Sequence, residues 1–224
     1  MTELLQFSIM DMTPYDQRSW FNLIGDYNRA VWWAYLLAVA LALVGLRWWS
    51  RHSLAQRESA SVRLVLAAIG ASWCWTSAVF HMQYLANLNW AAPWFGWAFI
   101  LQGCLLLLAA ALMKSASWVS LSTLRGRLGQ WLLLTGLLLY PLSSLLEGRN
   151  ATQLEWFPLS PAPVTLVSMG VLVLLNTRWR HALVIIPVLW AAVSSAFAVT
   201  LGLMEVYFMV GAVVVWLVSF LIRT

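Results

Sequence analysis

Long apolar stretches alternate with short charged segments along the chain. Each stretch has roughly the 20 residues that an α-helix needs to cross a hydrocarbon core of about 30 Å. The stretches are continuously apolar, whereas strands of a membrane β-barrel alternate apolar and polar residues. The pattern therefore predicts an all-α polytopic bundle of about seven transmembrane helices in one domain, residues 1–224. The predicted spans are residues 30–49, 62–86, 91–113, 128–147, 160–177, 182–202 and 204–222.

The composition supports a membrane protein. Of the 224 residues, 62% are hydrophobic and 9% are charged, whereas roughly a quarter of the residues are charged in a soluble domain. The formal net charge is +5, which in a soluble protein would suggest a nucleic-acid partner. Because these bases lie between the spans, membrane topology accounts for them, and the lipid bilayer is the predicted partner.

The distribution of Lys and Arg predicts the orientation, because these residues stay in the cytoplasm during insertion. Ten of the 13 bases fall on one side of the predicted spans. The opposite side holds the other three bases and every acid except Glu58. The N-terminus is therefore predicted outside and the C-terminus in the cytoplasm. The ten bases are Arg47, Arg51, Arg57, Arg63, Lys114, Arg125, Arg127, Arg178, Arg180 and Arg223.

Residues 1–29 precede the first predicted span. They contain acids and no basic region of the kind that begins a cleavable signal peptide. Thr13, Pro14 and Asp16 are spaced like an N-cap, a first-turn proline and a capping-box acid. A short helix lying in the outer membrane interface is predicted, with an ordered segment outside the membrane as the alternative.

Polar side chains within the spans are the candidates for function, since no motif of a soluble enzyme occurs. Ser77, His81 and Tyr84 recur at three- and four-residue spacing in the second span, which on an α-helix puts them on one face. His81 is the histidine that lies within a span, so it is a candidate to bind a proton, a metal or a hydrogen-bond partner. Packing without a ligand is the alternative.

The other polar candidates lie in the outer half of the predicted bundle or near its centre. Tyr140 precedes Pro141, whose ring is expected to kink the fourth span. Glu147 and Glu205 fall at the outer ends of two spans. We expect these groups to form an outward-facing polar pocket, with solvated helix ends as the alternative. Its predicted members are His81, Tyr84, Ser77, Asn87, Asn89, Gln102, Tyr140, Glu147 and Glu205.

No metal site and no cofactor are predicted, because no spacing brings a complete ligand set together. A single histidine within the spans excludes bis-histidine haem in one chain. Retinal is excluded as well, since it requires a lysine in the last helix and Lys114 lies in a predicted cytoplasmic loop. The loop from Asn150 to Pro163 is rich in proline and is expected to fold back over the outer end as a lid.

Several short motifs, spread over nearly the whole chain, carry a resemblance. They are Tyr27-Asn28, Phe80-His81, Asn89-Trp90-Ala91-Ala92, Tyr140-Pro141, Ser160-Pro161-Ala162-Pro163 and Ser194-Ser195. Together they resemble a bacterial family of multi-pass membrane proteins that is classed as a domain of unknown function. The resemblance implies a bacterial inner (plasma) membrane location and a compact bundle, and it implies no activity.

Three function classes remain open. A transporter or channel for a small solute or ion is the leading interpretation, because a polar pocket in an otherwise sealed bundle is typical of a vestibule. A membrane-embedded enzyme or a metal- or cofactor-binding protein, with His81 as ligand or base, is the second. The third is an accessory subunit of a larger membrane complex, or a homo-oligomer. Among these, catalysis is the less favoured, since the supply of reactive side chains is small.

Overall fold

The structure is a computed structural model that describes residues 13–50, 54–113 and 116–222. The described residues fold into a helical bundle, as the hydropathy pattern predicts. Five of its helices are long and apolar enough to cross a membrane: Gln17–Gly45, Glu58–Asn87, Ala92–Leu112, Leu124–Glu147 and Arg180–Leu201. Two further apolar helices are shorter, Pro161–Leu174 and Glu205–Leu221. The chain is therefore a helical membrane protein.

The helices are numbered in chain order. They are α1 (Gln17–Ser50), α2 (Leu54–Trp75), α3 (Ala92–Leu112), α4 (Leu124–Leu134), α5 (Tyr140–Ser143), α6 (Pro161–Leu174), α7 (Arg180–Leu183), α8 (Ile185–Leu201) and α9 (Glu205–Leu221). A π-helix, Thr76–Tyr84, continues α2, and a π-helical turn, Thr135–Leu139, joins α4 to α5. Strands β1 (Ser117–Trp118) and β2 (Leu175–Asn176) pair antiparallel.

The first helix differs from the prediction at its start. Asp16, not Thr13, caps α1, since its Oδ1 accepts the backbone N–H of Ser19 at 2.8 Å. From Gln17 the helix runs without a break to Ser50, so the expected interfacial segment and the first span form one helix. The apolar residues of the lead-in continue the helical pattern. Between Gln17 and Ser50 there is no proline, and the two glycines, Gly25 and Gly45, do not interrupt the helix.

Helix α6 is the centre of the bundle. Every residue from Pro161 to Leu174 is buried, because the chain packs α2, α4, α8 and α9 around it. Small residues permit the closest of these contacts. A Cβ added at Gly129 of α4 would lie 2.5 Å from Leu174 and 3.1 Å from the carbonyl oxygen of Gly170. Helix α1, in contrast, is peripheral, with 11% of its most apolar stretch buried against 44% for Arg180–Leu201.

The π-helical turn before Pro141 follows from that residue's chemistry. Proline has no N–H to donate to the carbonyl of Leu137, and its ring clashes with that carbonyl in a regular α-helix. The wider turn over Thr135–Leu139 takes up the mismatch, so the chain stays helical to Glu147. This local distortion directs Tyr140 inward, where 2% of its surface is exposed.

The end of the bundle that carries residues 148–160 is called the outer end. This loop folds back onto α1, as expected for a lid. Asn28 donates from Nδ2 to the carbonyl oxygens of Thr152 and Leu154, each at 2.8 Å. Tyr27 donates its hydroxyl proton to the carbonyl of Leu159 at 2.7 Å. The loop is therefore bound to the bundle by hydrogen bonds as well as by apolar packing.

The opposite end, which carries β1 and β2, is called the inner end. Two buried arginines there bind backbone carbonyls where helices finish. Arg125 donates to the carbonyls of Val173 at 2.8 Å and Leu175 at 2.6 Å, at the end of α6. Arg180 donates to the carbonyl of Ser219 at 3.3 Å, near the end of α9. Both arginines thus satisfy carbonyls that the helix itself leaves free and complement the helix dipole.

Candidate functional site

Six polar side chains from five parts of the chain meet at the outer end. The loop folded over this end supplies Arg149 and Glu155, and the other members come from helices that finish or begin here. Five of the six are buried, and Glu147 is half-buried. We name this group the outer carboxyl cluster; its members are Tyr140, Glu147, Arg149, Glu155, Ser194 and Glu205.

Arg149 is the base of the cluster. Its Nη1 lies 2.9 Å from Glu155 Oε1, and its Nε lies 2.9 Å from Glu147 Oε2. The guanidinium also stacks on the ring of Phe21 in α1, with 4.5 Å between Cζ and the ring centroid. Burial lowers the pKa of Arg149, but Glu155, Tyr140 and Glu147 together outweigh this effect and raise the pKa overall. Arg149 is therefore a fixed positive charge.

Glu147 connects the cluster to the start of α9. Its Oε1 accepts the backbone N–H of Met204, the residue that precedes the helix. A carboxylate at this position is stabilised by the positive end of the helix dipole. Glu147 therefore caps α9 and pairs with Arg149.

Tyr140 bridges the other two carboxyl groups. Its Oη lies 3.0 Å from Glu155 Oε1 and 3.0 Å from Glu205 Oε2. A phenol carries one proton, so it can donate to only one of these oxygens. The second contact is a hydrogen bond only if one carboxyl is itself protonated and donates to Tyr140. Hydrogen bonds from Tyr140 to both carboxyl groups therefore need one additional proton in the cluster.

Glu205 is a better position for such a proton than Glu155. Glu155 is in contact with the guanidinium of Arg149, which stabilises its ionised form. Glu205 has no base in contact with it among the ion pairs of the described residues, and its other oxygen accepts from the hydroxyl of Ser194. Burial raises the pKa of Glu155, and Arg149 reverses part of that increase. Three acids and one base thus share this buried space.

A small cavity adjoins the cluster. Glu155, Ser194 and Glu205 line it, together with Tyr15 of the lead-in and Trp190 of α8. The volume open to the centres of water molecules is about 20 Å³, which suffices for one water molecule. Burial raises the pKa of Tyr15 to about 12, so its hydroxyl stays protonated. The cavity therefore fits a single water molecule.

The described residues contain no group of three His, Cys, Asp or Glu side chains that could hold a metal ion. The carboxyl groups of the cluster are instead directed at Arg149, Tyr140, Ser194 and the backbone of Met204. Proton exchange is therefore the chemistry that the arrangement supports.

His81 lies elsewhere in the bundle, on the π-helix that continues α2. Its side chain is fully buried and is enclosed by aromatic rings of Phe80, Phe95, Phe99 and Trp190, whose centroids lie 4.3 to 6.3 Å from its own. Neither ring nitrogen has a hydrogen-bond partner in the described part of the chain. An unsatisfied buried polar group costs about 1–3 kcal/mol, so the site has an unused capacity to bind.

Of the nine residues predicted for the pocket, the structure brings Tyr140, Glu147 and Glu205 together and distributes the other six. Ser77 donates to the carbonyl of Gly96 at 2.7 Å, and Gln102 donates to that of Leu183 at 2.8 Å. Tyr84 packs edge-on against Tyr27. Asn87 is exposed and donates to the carbonyl of Gln83, and the Asn89 side chain accepts the N–H of Ala91.

Three members of the cluster were not predicted, namely Arg149, Glu155 and Ser194. Arg149 and Glu155 belong to a short polar loop, which from sequence alone looks solvated. Their signal is the clustering of Glu147, Arg149 and Glu155 within nine positions beside an apolar span, which favours mutual pairing. Ser194 sits within an apolar helix and gives no comparable signal.

Comparison with known proteins decides the family. A model of a family of unknown function, DUF6064, matches residues 17–224. The chain belongs to DUF6064. The resemblance found in the sequence motifs is thus confirmed at the level of a family without known function. None of the curated proteins and none of the solved structures compared with the chain is detectably similar to it.

Proposed function

We propose that this protein is a membrane transporter or channel for an ion or a small solute, and that it takes up and releases a proton at Glu205. One observation carries the proposal. Tyr140 touches two buried carboxyl groups with a single hydroxyl proton, and a cavity of water size adjoins both carboxyls. Ionisable groups inside a membrane are costly and typically mark ion or proton pathways.

A proton is favoured over a larger cargo at this site. The cavity has room for about one water molecule, and the carboxyl oxygens already have partners within the chain. A proton requires no additional space and converts the Tyr140 to Glu205 contact from repulsive to attractive.

The distribution of charge supports an orientation. We propose that the outer end faces the outside of a bacterial inner membrane, with the C-terminus in the cytoplasm. Buried and exposed arginines at the inner end support this orientation, since basic residues are retained on the cytoplasmic side. The cluster would then take its proton from the outside.

Proton uptake in reconstituted liposomes tests the proposal. Wild-type protein in vesicles with an internal pH dye should acidify the lumen after an inward proton gradient is applied together with a potassium–valinomycin potential. The Glu205→Gln variant should lose most of this uptake, because an amide cannot bind the proton. Asp26→Asn is the matched control, since Asp26 is exposed at the same end and pairs with exposed Arg29.

Two outcomes would overturn the proposal. One is uptake by Glu205→Gln equal to that of the wild type. The other is no uptake by the wild type above empty vesicles, with or without sodium or chloride gradients. A wild-type flux that follows a sodium gradient instead of the proton gradient would replace the proton with a sodium ion at the same cluster.

A further inference from the structure

A second buried polar region lies beside the outer cavity and has no role in the proposed function. Trp190 lines the cavity, and its ring also packs edge-on against His81, with 5.0 Å between centroids. Trp190 lies one helical turn from Ser194, which donates to Glu205. His81 is therefore separated from the outer cavity by the ring of Trp190.

The same region continues on α3. Phe99 packs against both His81, at 4.3 Å, and Trp190, at 4.8 Å between centroids. Gln102 follows Phe99 by three residues and so lies beside it on the same helix face. Four atoms along this course are buried and have no hydrogen-bond partner among the described residues: Trp190 Nε1, both ring nitrogens of His81, and Gln102 Oε1.

The chemistry of these atoms identifies what would satisfy them. Trp190 offers a donor, neutral His81 offers one donor and one acceptor, and Gln102 offers an acceptor. An anion would satisfy only the donors, and a cation only the acceptors. Water satisfies both kinds, and ordered internal water is the usual partner of such groups.

The backbone around His81 points in the same direction. His81 lies within a π-helix of nine residues, Thr76–Tyr84. Such segments are rare in proteins, and those that are found often lie at functional sites. Here the π-helix directs the imidazole into the interface with α3 and α8 rather than toward Tyr84 and the outer surface.

We propose that His81 is a second proton-binding site, connected to the Glu205 cavity by internal water that passes Trp190 and extends to Gln102. This inference rests on the proposed function and deepens it by naming the route of the proton. Proton transfer requires no covalent step beyond the exchange of one N–H or O–H bond for another between Glu205, water and the imidazole. The rings that face His81 come from the π-helix, α3 and α8, and none of them titrates.

Gln102 marks the inner end of the route. It donates from Nε2 to the carbonyl of Leu183, the last residue of α7, and its Oε1 has no partner among the described residues. The four unpartnered atoms therefore end at Gln102, and the proposed route ends there as well.

Deuterium exchange at histidine in the wild-type protein is the first test. The Cε1–H of an imidazole exchanges with heavy water only where water reaches the ring and the ring is transiently protonated. Mass spectrometry of peptides should show exchange at His81, with half-buried His181 at the inner end as a reference in the same sample. Exchange at His181 with none at His81 would overturn the inference, because it would mean a dry ring.

Proton flux in liposomes is the second test, with His81→Gln and His81→Phe compared with Trp179→Phe, an exposed position on the inner side. The first two variants should lower flux by roughly 100-fold, the lower end of what a positioned proton-transfer group contributes. Normal flux in folded variants would overturn the inference.

Proton uptake measured in detergent separates this failure from that of the proposed function. After a pH jump, Glu205→Gln should bind fewer protons than the wild type, whatever the role of His81. Equal binding by Glu205→Gln and the wild type would reject the outer proton site itself. A deficit in Glu205→Gln together with normal flux in the His81 variants would reject only the inner site.

Discussion

The two ends of the bundle use charge in different ways. At the inner end, Arg125 and Arg180 bind backbone carbonyls, and both are permanently charged. At the outer end, three acids share one base, and a proton has to be held between Tyr140 and Glu205 for the contacts to be favourable. The inner end therefore has a fixed charge, whereas we propose that the charge of the outer end changes by one proton.

Helix dipoles explain what the two ends have in common. Glu147 lies at the start of α9, and Arg125 lies at the end of α6, so each charge complements the partial charge of a helix terminus. The dipoles do not require Glu155 or the second carboxyl at Tyr140. Helix capping therefore does not account for these additional acids, and we assign function to them.

Removal of Arg149 should have the largest effect on stability. Arg149→Met leaves Glu147 and Glu155 buried without their base, and breaking a buried pair in this way costs about 3–5 kcal/mol. Thermal unfolding in mild detergent measures the loss. Arg29→Met is the control, because its pair with Asp26 is exposed and surface pairs contribute about 0–1 kcal/mol. Equal loss in both variants would show that burial of the cluster has no energetic consequence.

Removal of Arg125 should have a smaller effect. Arg125→Met leaves the carbonyls of Val173 and Leu175 without a donor, which costs about 1–3 kcal/mol. The loss should stay constant between about pH 5 and 8, since arginine does not titrate there. Thermal unfolding across that range checks it, with exposed Arg127→Met as the neighbouring control. A loss that varied with pH in this range would contradict the distinction between the two ends.

The pH dependence of stability should come from the outer end. The pKa of Glu155 in the folded state is raised above its ordinary value of 4.5 by burial. The folded state then binds more protons than the unfolded state from pH 4.5 up to the raised pKa, so its free energy of unfolding falls as the pH rises through that window. The slope is at most about 1.4 kcal/mol per pH unit for one proton.

Glu155→Gln should remove the Glu155 share of that slope and leave the share that comes from Glu205, whatever it does to stability at a single pH. Thermal unfolding at a series of pH values measures the slope, and Glu58→Gln, an exposed acid on the other side of the bundle, is the control. If Glu155→Gln and the wild type have the same slope, the titrating group lies elsewhere.

The sequence predicted the helices well because each signal is local. A continuous apolar run can satisfy its backbone in lipid only as a helix, so hydropathy locates it whatever the neighbours. The prediction of Tyr140, Glu147 and Glu205 has a related reason, because a polar side chain near the outer end of a span can reach few positions that avoid lipid. The partners Arg149 and Glu155 depend on how a loop folds back, which no periodicity encodes.

The stripe of Ser77, His81 and Tyr84 shows a different limit. Its residues share a face only if the helix has regular α-helical turns. The π-helix from Thr76 to Tyr84 has a wider turn, which rotates each successive side chain away from that face. Ser77 and Tyr84 therefore contact Gly96 and Tyr27, whereas His81 lies among aromatic rings. No residue in the segment indicates, from sequence alone, that its turns are π-helical.

The burial of α6 has a consequence for how the protein is made. A helix of 14 residues is about 21 Å long, shorter than a hydrocarbon core of about 30 Å. Lipid alone would therefore hold it poorly during synthesis, although its residues are among the most apolar of the chain. Its neighbours α8 and α9 are synthesised after it. Helices α2 and α4, which also pack on α6, are synthesised before it. The burial of α6 is thus complete only after the last helix of the bundle has been made.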